Sequence, residues 1–422
     1  MFTFIHCSDL HLDSPLRGLA QMPGAPVKDI QSASRRALDN LVYLARQRQV
    51  SFVVIAGDIY DGDWPDYHTG LYFNDRMAQL GAAGIRVFLV SGNHDAASQI
   101  TRHLVMPDNV TVFSVTQPET HQIPELSVAI HGQGFKERAV TANLVPEYPE
   151  ALPGCFNLGL LHTSVQGQGG HENYAPCRLD ELIAKGYDYW ALGHIHKRQI
   201  LNQDPWVVYS GNLQGRHPGE TGAKGAMLVT VDEGRVVHVD FHALDVVRWF
   251  RCPIDVSRAE DEQHLSSLVT NAVTTIAEAN PDLTLALRIE LSGITALHGK
   301  FMAEREYYQS EVENAAVIAA PAHLWVEKVE FLTSPPTEPY ASALTGDGLA
   351  SLSKTMAQLM TDEPFLDAFA QEAAALQMRL AFYSKREDAT LIHSAEDVAE
   401  LLPDAKALIS ALIHQGGPSH EN

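Results

Sequence analysis

Short apolar runs that stop abruptly on a polar cluster recur through the first half of the chain. FVVIAGD (52–58) stops on Gly57-Asp58, and RVFLV (86–90) on Ser-Gly-Asn-His-Asp. FNLGLLH (156–162) stops on a histidine, and YDYWALGH (187–194) on Gly-His-Ile-His. Each run is short for a helix but long enough for a strand buried on both faces, as in parallel sheets. Helical stretches over 30–48 and 66–82 separate the first of them. Such a chain is constrained to an α/β class, in which ligands bind outside the carboxyl ends of the strands.

FTFIH (2–6) reads as a further strand, as do WVVYSGN (206–212), GAMLVTV (225–231) and VVHVDFHAL (236–244), with a turn at Glu233-Gly234. Strand-helix alternation followed by β-hairpins predicts a layered sheet sandwich covered by helices. The pattern changes near 247. RWFRCPIDV, a helix over 261–279, LTLALRIEL (283–291) and LWVEKVEFL (324–332) form a small α+β domain, and SPPTEP (334–339) reads as a linker. Beyond it the chain reads as helical. Leu349, Leu352, Met356 and Leu359 share one face, and Phe365, Phe369, Ala373, Leu376 and Leu380 another. Ser394 to Asp397 resembles a capping box, with Val398, Leu401, Ala405, Leu408 and Leu412 at helical spacing behind it. These stripes are read first as packing surfaces and second as a docking face. The expected divisions are 1–245, 246–335 and 336–422.

A formal net charge of -22 argues against broad, non-specific nucleic-acid binding, which needs a basic face. It leaves room for a local basic groove, for metals that neutralise carboxylates, or for a partner that carries the positive charge. The four cysteines are widely spaced without a CxxC pair and read as reduced thiols. No run is apolar and long enough to span a bilayer, and MFTFIHCSDLH lacks the basic start of a signal peptide. These features point to a soluble, cytoplasmic protein with no membrane contact.

The polar clusters place Asp9 and His11 (SDLH), Asp58 (AGD), Asn93 and His94 (SGNHD), His162 (LLH), and His194 and His196 (GHIH) at equivalent ends of neighbouring strands. They can converge on one spot. Carboxylate, amide oxygen and imidazole suit hard or borderline divalent cations. Asp58, at the tip of the most apolar strand, is the candidate bridge between two ions, which in such sites lie roughly 3.5–4 Å apart and act on a phosphoryl group. At strand pitch His194 and His196 would face one pocket, with Ile195 turned to the core. The glycines before the ligands, Gly57, Gly92 and Gly193, permit tight turns and close backbone approach.

This series of motifs resembles the calcineurin-like metallophosphoesterase superfamily over roughly residues 1–245. The resemblance implies a four-layer α/β/β/α sandwich with a small α+β capping domain and a helical C-terminal tail. It implies one metal held by Asp9, His11, Asp58 and His196, and a second by Asp58, Asn93, His162 and His194. His94 would face the substrate and protonate the leaving oxygen, oriented by Asp61 or Asp95, with Asp61 in GDIYD favoured. HCSDLHLDSPL, GYDYWALGHIHKRQ and YSGNLQGRHPGETGAKGAMLV are similar to nuclease subunits of SbcCD-type DNA repair complexes, most of all to the YhaO-type exonuclease branch. That implies DNA as substrate and manganese as the metal, the donors also accepting Fe, Zn or Mg. It further implies a cap over the active site, a homodimer with contacts near 66–82 and before His103, and a Rad50/SbcC-type coiled-coil ATPase partner on the C-terminal helices. Lys197, Arg198, Arg216, His217 and Lys224 lie beside the motifs, where they can meet backbone phosphates. Trp64, Tyr67 and Tyr72 are placed for stacking on bases or for packing. The alternative is a phosphodiesterase or phosphatase acting on small nucleotides or other phosphoesters.

Overall fold

The computed structural model describes residues 1–14, 27–61, 68–97, 105–165, 174–320, 324–336, 354–359, 361–380 and 394–415. Trp64, Tyr67, His103, Leu349, Leu352 and residues 337–339 of the linker lie outside them. The chain divides into two compact units, one of Met1–Phe250 with Asn280–Leu287, the other of Arg251–Ala279 with Arg288–Asn422.

The first unit is built on twelve strands: β1 (Phe2–Cys7), β2 (Phe52–Ala56), β3 (Arg86–Val90), β4 (Val110–Val112), β5 (Glu119–Ile123), β6 (Val128–Gly132), β7 (Phe156–His162), β8 (Tyr189–Gly193), β9 (Gln199–Gln203), β10 (Trp206–Tyr209), β11 (Gly225–Asp232) and β12 (Arg235–Ala243). They form two six-stranded sheets, ordered β12-β11-β1-β2-β3-β4 and β5-β6-β7-β8-β10-β9. β1 to β4 run parallel, as do β6, β7, β8 and β10, and antiparallel strands flank each set.

Side-chain alternation explains the layering. Phe4, Phe52, Val54, Ala56 and Phe88 turn inward and meet Ile130, Phe156, Leu158, Leu160 and Tyr189 of the other sheet. Their neighbours Ile5, Cys7, Val53, Ile55 and Leu89 point to the opposite face. There they meet Leu38, Leu41 and Val42 of helix α1 (Val27–Gln47) and Phe73, Met77 and Leu80 of helix α2 (His68–Ala82). Trp190, Leu192, Val207 and Tyr209 do the same for the outer face of the second sheet, under Tyr148, Tyr187 and Leu182. The result is a helix-sheet-sheet-helix sandwich whose central strands are apolar on both sides. β11 and β12 are joined at Glu233-Gly234, where φ values of 48° and 76° make the left-handed two-residue turn that such hairpins favour.

The structure shortens several expected strands. β2 ends at Ala56, not at Asp58, and β8 at Gly193, because the backbone turns left-handed just beyond them. β5, with its polar ETHQI sequence, and β4, three residues long, carry too little apolar pattern to be read in advance.

The second unit centres on the sheet of β13 (Val247–Asp255), β14 (Thr284–Ile294) and β15 (Leu324–Ser334). The expected helix runs over Glu262–Glu278, with the Asp261 carboxylate accepting from the His264 amide at 2.8 Å. Two helices, His298–Ala303 and Arg305–Ala319, were not anticipated. In the helix Glu363–Leu380 the buried positions are Leu366 and Ala370, whereas Phe369 and Leu376 are about half exposed, so the expected stripe is turned by one residue. The Ser394 capping box forms as read: the Asp397 carboxylate accepts from the Ser394 amide and Ser394 Oγ from the Asp397 amide. Among the described residues no helix is long and apolar enough to cross a membrane, and all four cysteines are free thiols.

Candidate metal centre

The loops after β1 and β2 are laced together. The Asp9 amide donates to the Gly57 carbonyl at 3.0 Å, His11 to Asp58 at 3.1 Å, and Leu12 to Ile59 at 2.9 Å. Within this lacing Asp9, His11 and Asp58 hold positive φ angles of 51°, 42° and 52°. Bulky side chains resist that conformation, and such strain gathers at functional sites. Gly92 and Gly193 pass so close that a Cβ would collide with the Asp58 carboxylate and the Ala56 carbonyl, respectively.

The strand ends bring the expected residues together. His11 Nε2 lies 3.1 Å from His196 Nε2, and His196 Nε2 lies 3.7 Å from Asp9 Oδ1. Asp58 Oδ2 is 3.9 Å from His11 Nε2 and 3.5 Å from His162 Nε2. His162 Nε2 also meets the Asn93 side-chain oxygen at 2.9 Å, while its Nδ1 is held by the Ala56 carbonyl at 2.9 Å. The His194 ring sits beside His162, centroids 5.2 Å apart, and its amide donates to both Asp9 oxygens. Asp58 thus stands between the two groups.

The Gly-His-Ile-His stretch does not work as expected. His194 has φ 96°, outside the strand, so the two histidines are not related by strand pitch. A turn sends His194 to the Asn93 side and His196 to the Asp9 side. Ile195 does enter the core.

His94 is the second residue of helix α3 (Asn93–Ala97), and its amide donates to Asp58 Oδ1 at 2.9 Å. Its Nδ1 lies 2.7 Å from Asp61 Oδ1, and Ser14 Oγ donates to the other Asp61 oxygen at 2.5 Å. Burial opposes charge on Asp61, but these bonds and Arg216 hold its carboxyl down at about 2. Burial likewise pulls the His94 imidazole down, and Asp61 and Asp58 outweigh it, so the net shift is upward. Asp95 is committed elsewhere. It accepts the Ile59, Tyr60 and Gly92 amides and ties the loops together.

Arg216 is the basic residue that reaches this centre, with Nη1 3.3 Å from Asp61 Oδ2 and Nη2 3.5 Å from His196 Nδ1. Lys197 and His217 are exposed. Arg198 lies over the Phe241 ring at 3.9 Å. Lys224 is turned inward, its ammonium donating to the His196 carbonyl at 3.0 Å, so it is a brace and not a phosphate contact. Tyr72 is a packing residue: its hydroxyl donates to the Arg35 carbonyl at 3.0 Å and its ring lies under Arg35 and Arg76. Glu220 was missed. It ends the run NLQGRHPGE and takes His196 Nδ1 at 2.6 Å, a contact that only the folded loop reveals.

The donor set fits divalent cations. Asp9, His11 and His196 form one group, Asp9, Asp58 and His162 another, and His11, Asp58 and His94 a third, with the atoms of each within 4.8 Å of one another. Asp9 and Asp58 are buried together, and burial pushes the Asp58 carboxyl up. His11 Nδ1 is buried without a hydrogen-bond partner among the described residues, and burial holds this imidazole well below its usual range. Neutral imidazoles and crowded carboxylates of this kind are what a bound cation compensates.

Residues 2–198 match the calcineurin-like phosphoesterase family, and residues 249–334 match the middle domain of metallophosphoesterase YhaO. An uncharacterized metallophosphoesterase YhaO from Bacillus subtilis is 32% identical over 292 residues, covering 68% of this chain and 71% of that protein. Among solved structures, a dimetal phosphatase from Danio rerio aligns at 13% identity over 55% of this chain and 93% of that one, with a TM-score of 0.35. GAP50, the anchor in the inner membrane complex of Plasmodium, aligns at 10% identity over 57% and 88%, with a TM-score of 0.31.

Proposed function

Because the chain belongs to the calcineurin-like metallophosphoesterases and is a relative of YhaO, we propose that it is a cytoplasmic two-metal phosphodiesterase acting as a DNA nuclease. The observation that carries the phosphodiesterase reading is the convergence of Asp9, His11, Asp58, Asn93, His162, His194 and His196 beside the His94–Asp61 pair. Asp9, His11, Asp58 and His196 would hold one ion, and Asp58, Asn93, His162 and His194 the other. When bound, two such ions, with manganese the first choice, polarise a phosphoryl group and activate water. His94 gives its proton to the leaving oxygen, and Asp61 holds the ring through Nδ1 so that Nε2 remains for the substrate. Arg216, half-buried between Asp61 and His196, offers a fixed positive charge to a phosphate.

DNA is favoured by the likeness of the motifs to SbcCD-type nuclease subunits. The chain's charge of -22 is unsuited to gripping a duplex alone. A coiled-coil ATPase partner would supply that surface, and homodimerisation would double it. The test is hydrolysis of end-labelled linear DNA beside bis(p-nitrophenyl) phosphate, with manganese, by wild type and His94→Ala. DNA degradation that disappears in the variant supports the nuclease. Cleavage of the small diester alone, even after a coiled-coil ATPase is added, moves the reading to small phosphoesters. No cleavage of either overturns it.

A further inference from the structure

We propose that Glu220 is a positioning residue that makes the Asp9/His11/His196 group the tighter of the two cation sites. This rests on the reading of those residues as metal ligands and is independent of the substrate.

Glu220 is nearly fully buried. Its Oε2 is pinned by two donors, the Arg216 amide at 2.7 Å and the Asn212 side-chain amide at 2.8 Å. The carboxylate therefore cannot rotate away, and Oε1 is presented to His196 Nδ1 at 2.6 Å. An ionised carboxylate only accepts, so the shared hydrogen belongs to Nδ1. The lone pair of His196 is then on Nε2, the atom that faces His11 and Asp9. Arg216 Nη2 and His217 Nε2 lie 3.7 and 3.4 Å from Oε1, and Lys224 braces the His196 carbonyl behind it.

In the second group His162 is backed differently. His162 Nδ1 donates to the neutral carbonyl of Ala56. Both imidazoles are thus set in the Nδ1–H form, yet only His196 has a full negative charge behind it. A carboxylate behind a ligating histidine fixes the ring and raises the basicity of the ligand nitrogen, and its loss typically weakens metal binding about 10–100-fold.

The test is a Mn(II) titration of the full chain, read by calorimetry and by the EPR signal of free Mn(II). Wild type should bind in two classes. In Glu220→Gln the tight class weakens about 10–100-fold, while the weaker one changes less than about twofold. His196→Gln should abolish the tight class, and Asn93→Ala the weak one. Two bound Mn(II) with affinities that Glu220→Gln leaves unchanged overturns the proposal alone. Loss of the tight class in Asn93→Ala and not in His196→Gln does the same. No Mn(II) binding by wild type overturns the ligand reading and this proposal with it. A purely structural role for Glu220 would lower the melting temperature without moving either affinity. Should Glu220→Gln fail to fold, long-range 15N–1H spectra of metal-free wild type decide. The histidine signal missing from His196→Gln must show protonated Nδ1 and unprotonated Nε2, and the reverse tautomer overturns the proposal.

Discussion

Asp61 Oδ1 lies 2.7 Å from His94 Nδ1, and Ser14 holds the second oxygen of the same carboxylate. His94 is therefore oriented by a fixed acceptor and offers Nε2 outward. Removing the ring and removing its support should differ in degree. His94→Ala is expected to lower kcat by roughly 10²–10⁴-fold, and Asp61→Asn by about 10–100-fold. Metal content by mass spectrometry should stay at the wild-type level in both. A loss of metal that parallels the loss of turnover would make His94 a ligand.

Gly193 illustrates the cost of bringing two strand ends together. A Cβ there would drive into the Ala56 carbonyl, the same oxygen that holds His162 Nδ1. Gly193→Ala should destabilise the fold by about 1–3 kcal/mol and weaken Mn(II) binding as well, because the displaced carbonyl no longer orients His162. Melting temperature and Mn(II) titration check the two effects separately. A variant as stable as wild type would mean that the strands part without penalty.

Much of this candidate site was legible in the sequence because each residue that the structure gathers there follows a run whose period and length report a buried strand. The runs ending at Asp58, Asn93 and His162 need no tertiary information beyond the rule that strand ends share an edge. What failed was local geometry. Strand pitch was assumed through His196, but the left-handed turn at His194 separates the two histidines and gives each its own group. Lys224 and Glu220 were misjudged or missed for a related reason. Both lie in a loop with no period, where side-chain direction is set by contacts to His196 and Asn212 that sequence spacing does not encode. The stripe at Phe365 and Phe369 was read one position off because helical period defines a face only to within a residue.

Metal-free stability tests the crowding of charge at the bridge. Asp58 is buried with Asp9, and burial pushes its carboxyl up. Its Oδ1 accepts the His94 amide, a bond that an asparagine oxygen can keep. Asp58→Asn should therefore melt higher than wild type in EDTA. Manganese at about 100 times the Kd of one site should stabilise wild type by about 2.7 kcal/mol through that site and leave Asp58→Asn unmoved. Equal metal-induced shifts in the two proteins would remove Asp58 from the ligand set.

His6 sets part of the acid limit of the fold. It is fully buried between the sheets, Nδ1 3.0 Å from the Tyr189 hydroxyl and Nε2 3.2 Å from the Leu192 carbonyl. Burial lowers its imidazole from 6.5 to about 3, against the smaller upward pull of the Leu192 bond and of Asp9. Above pH 6.5 both folded and unfolded chains carry it neutral, and its contribution to stability is whole. As pH falls below 6.5 the unfolded chain takes up a proton that the folded chain refuses, and stability is lost at up to about 1.4 kcal/mol per pH unit. The loss continues until the folded imidazole itself titrates near 3. His6→Gln should be less stable than wild type at pH 8, having lost well-placed hydrogen bonds. Between pH 6 and 4 its urea-unfolding free energy should fall less steeply than that of wild type, and parallel slopes would show that His6 is protonated without unfolding.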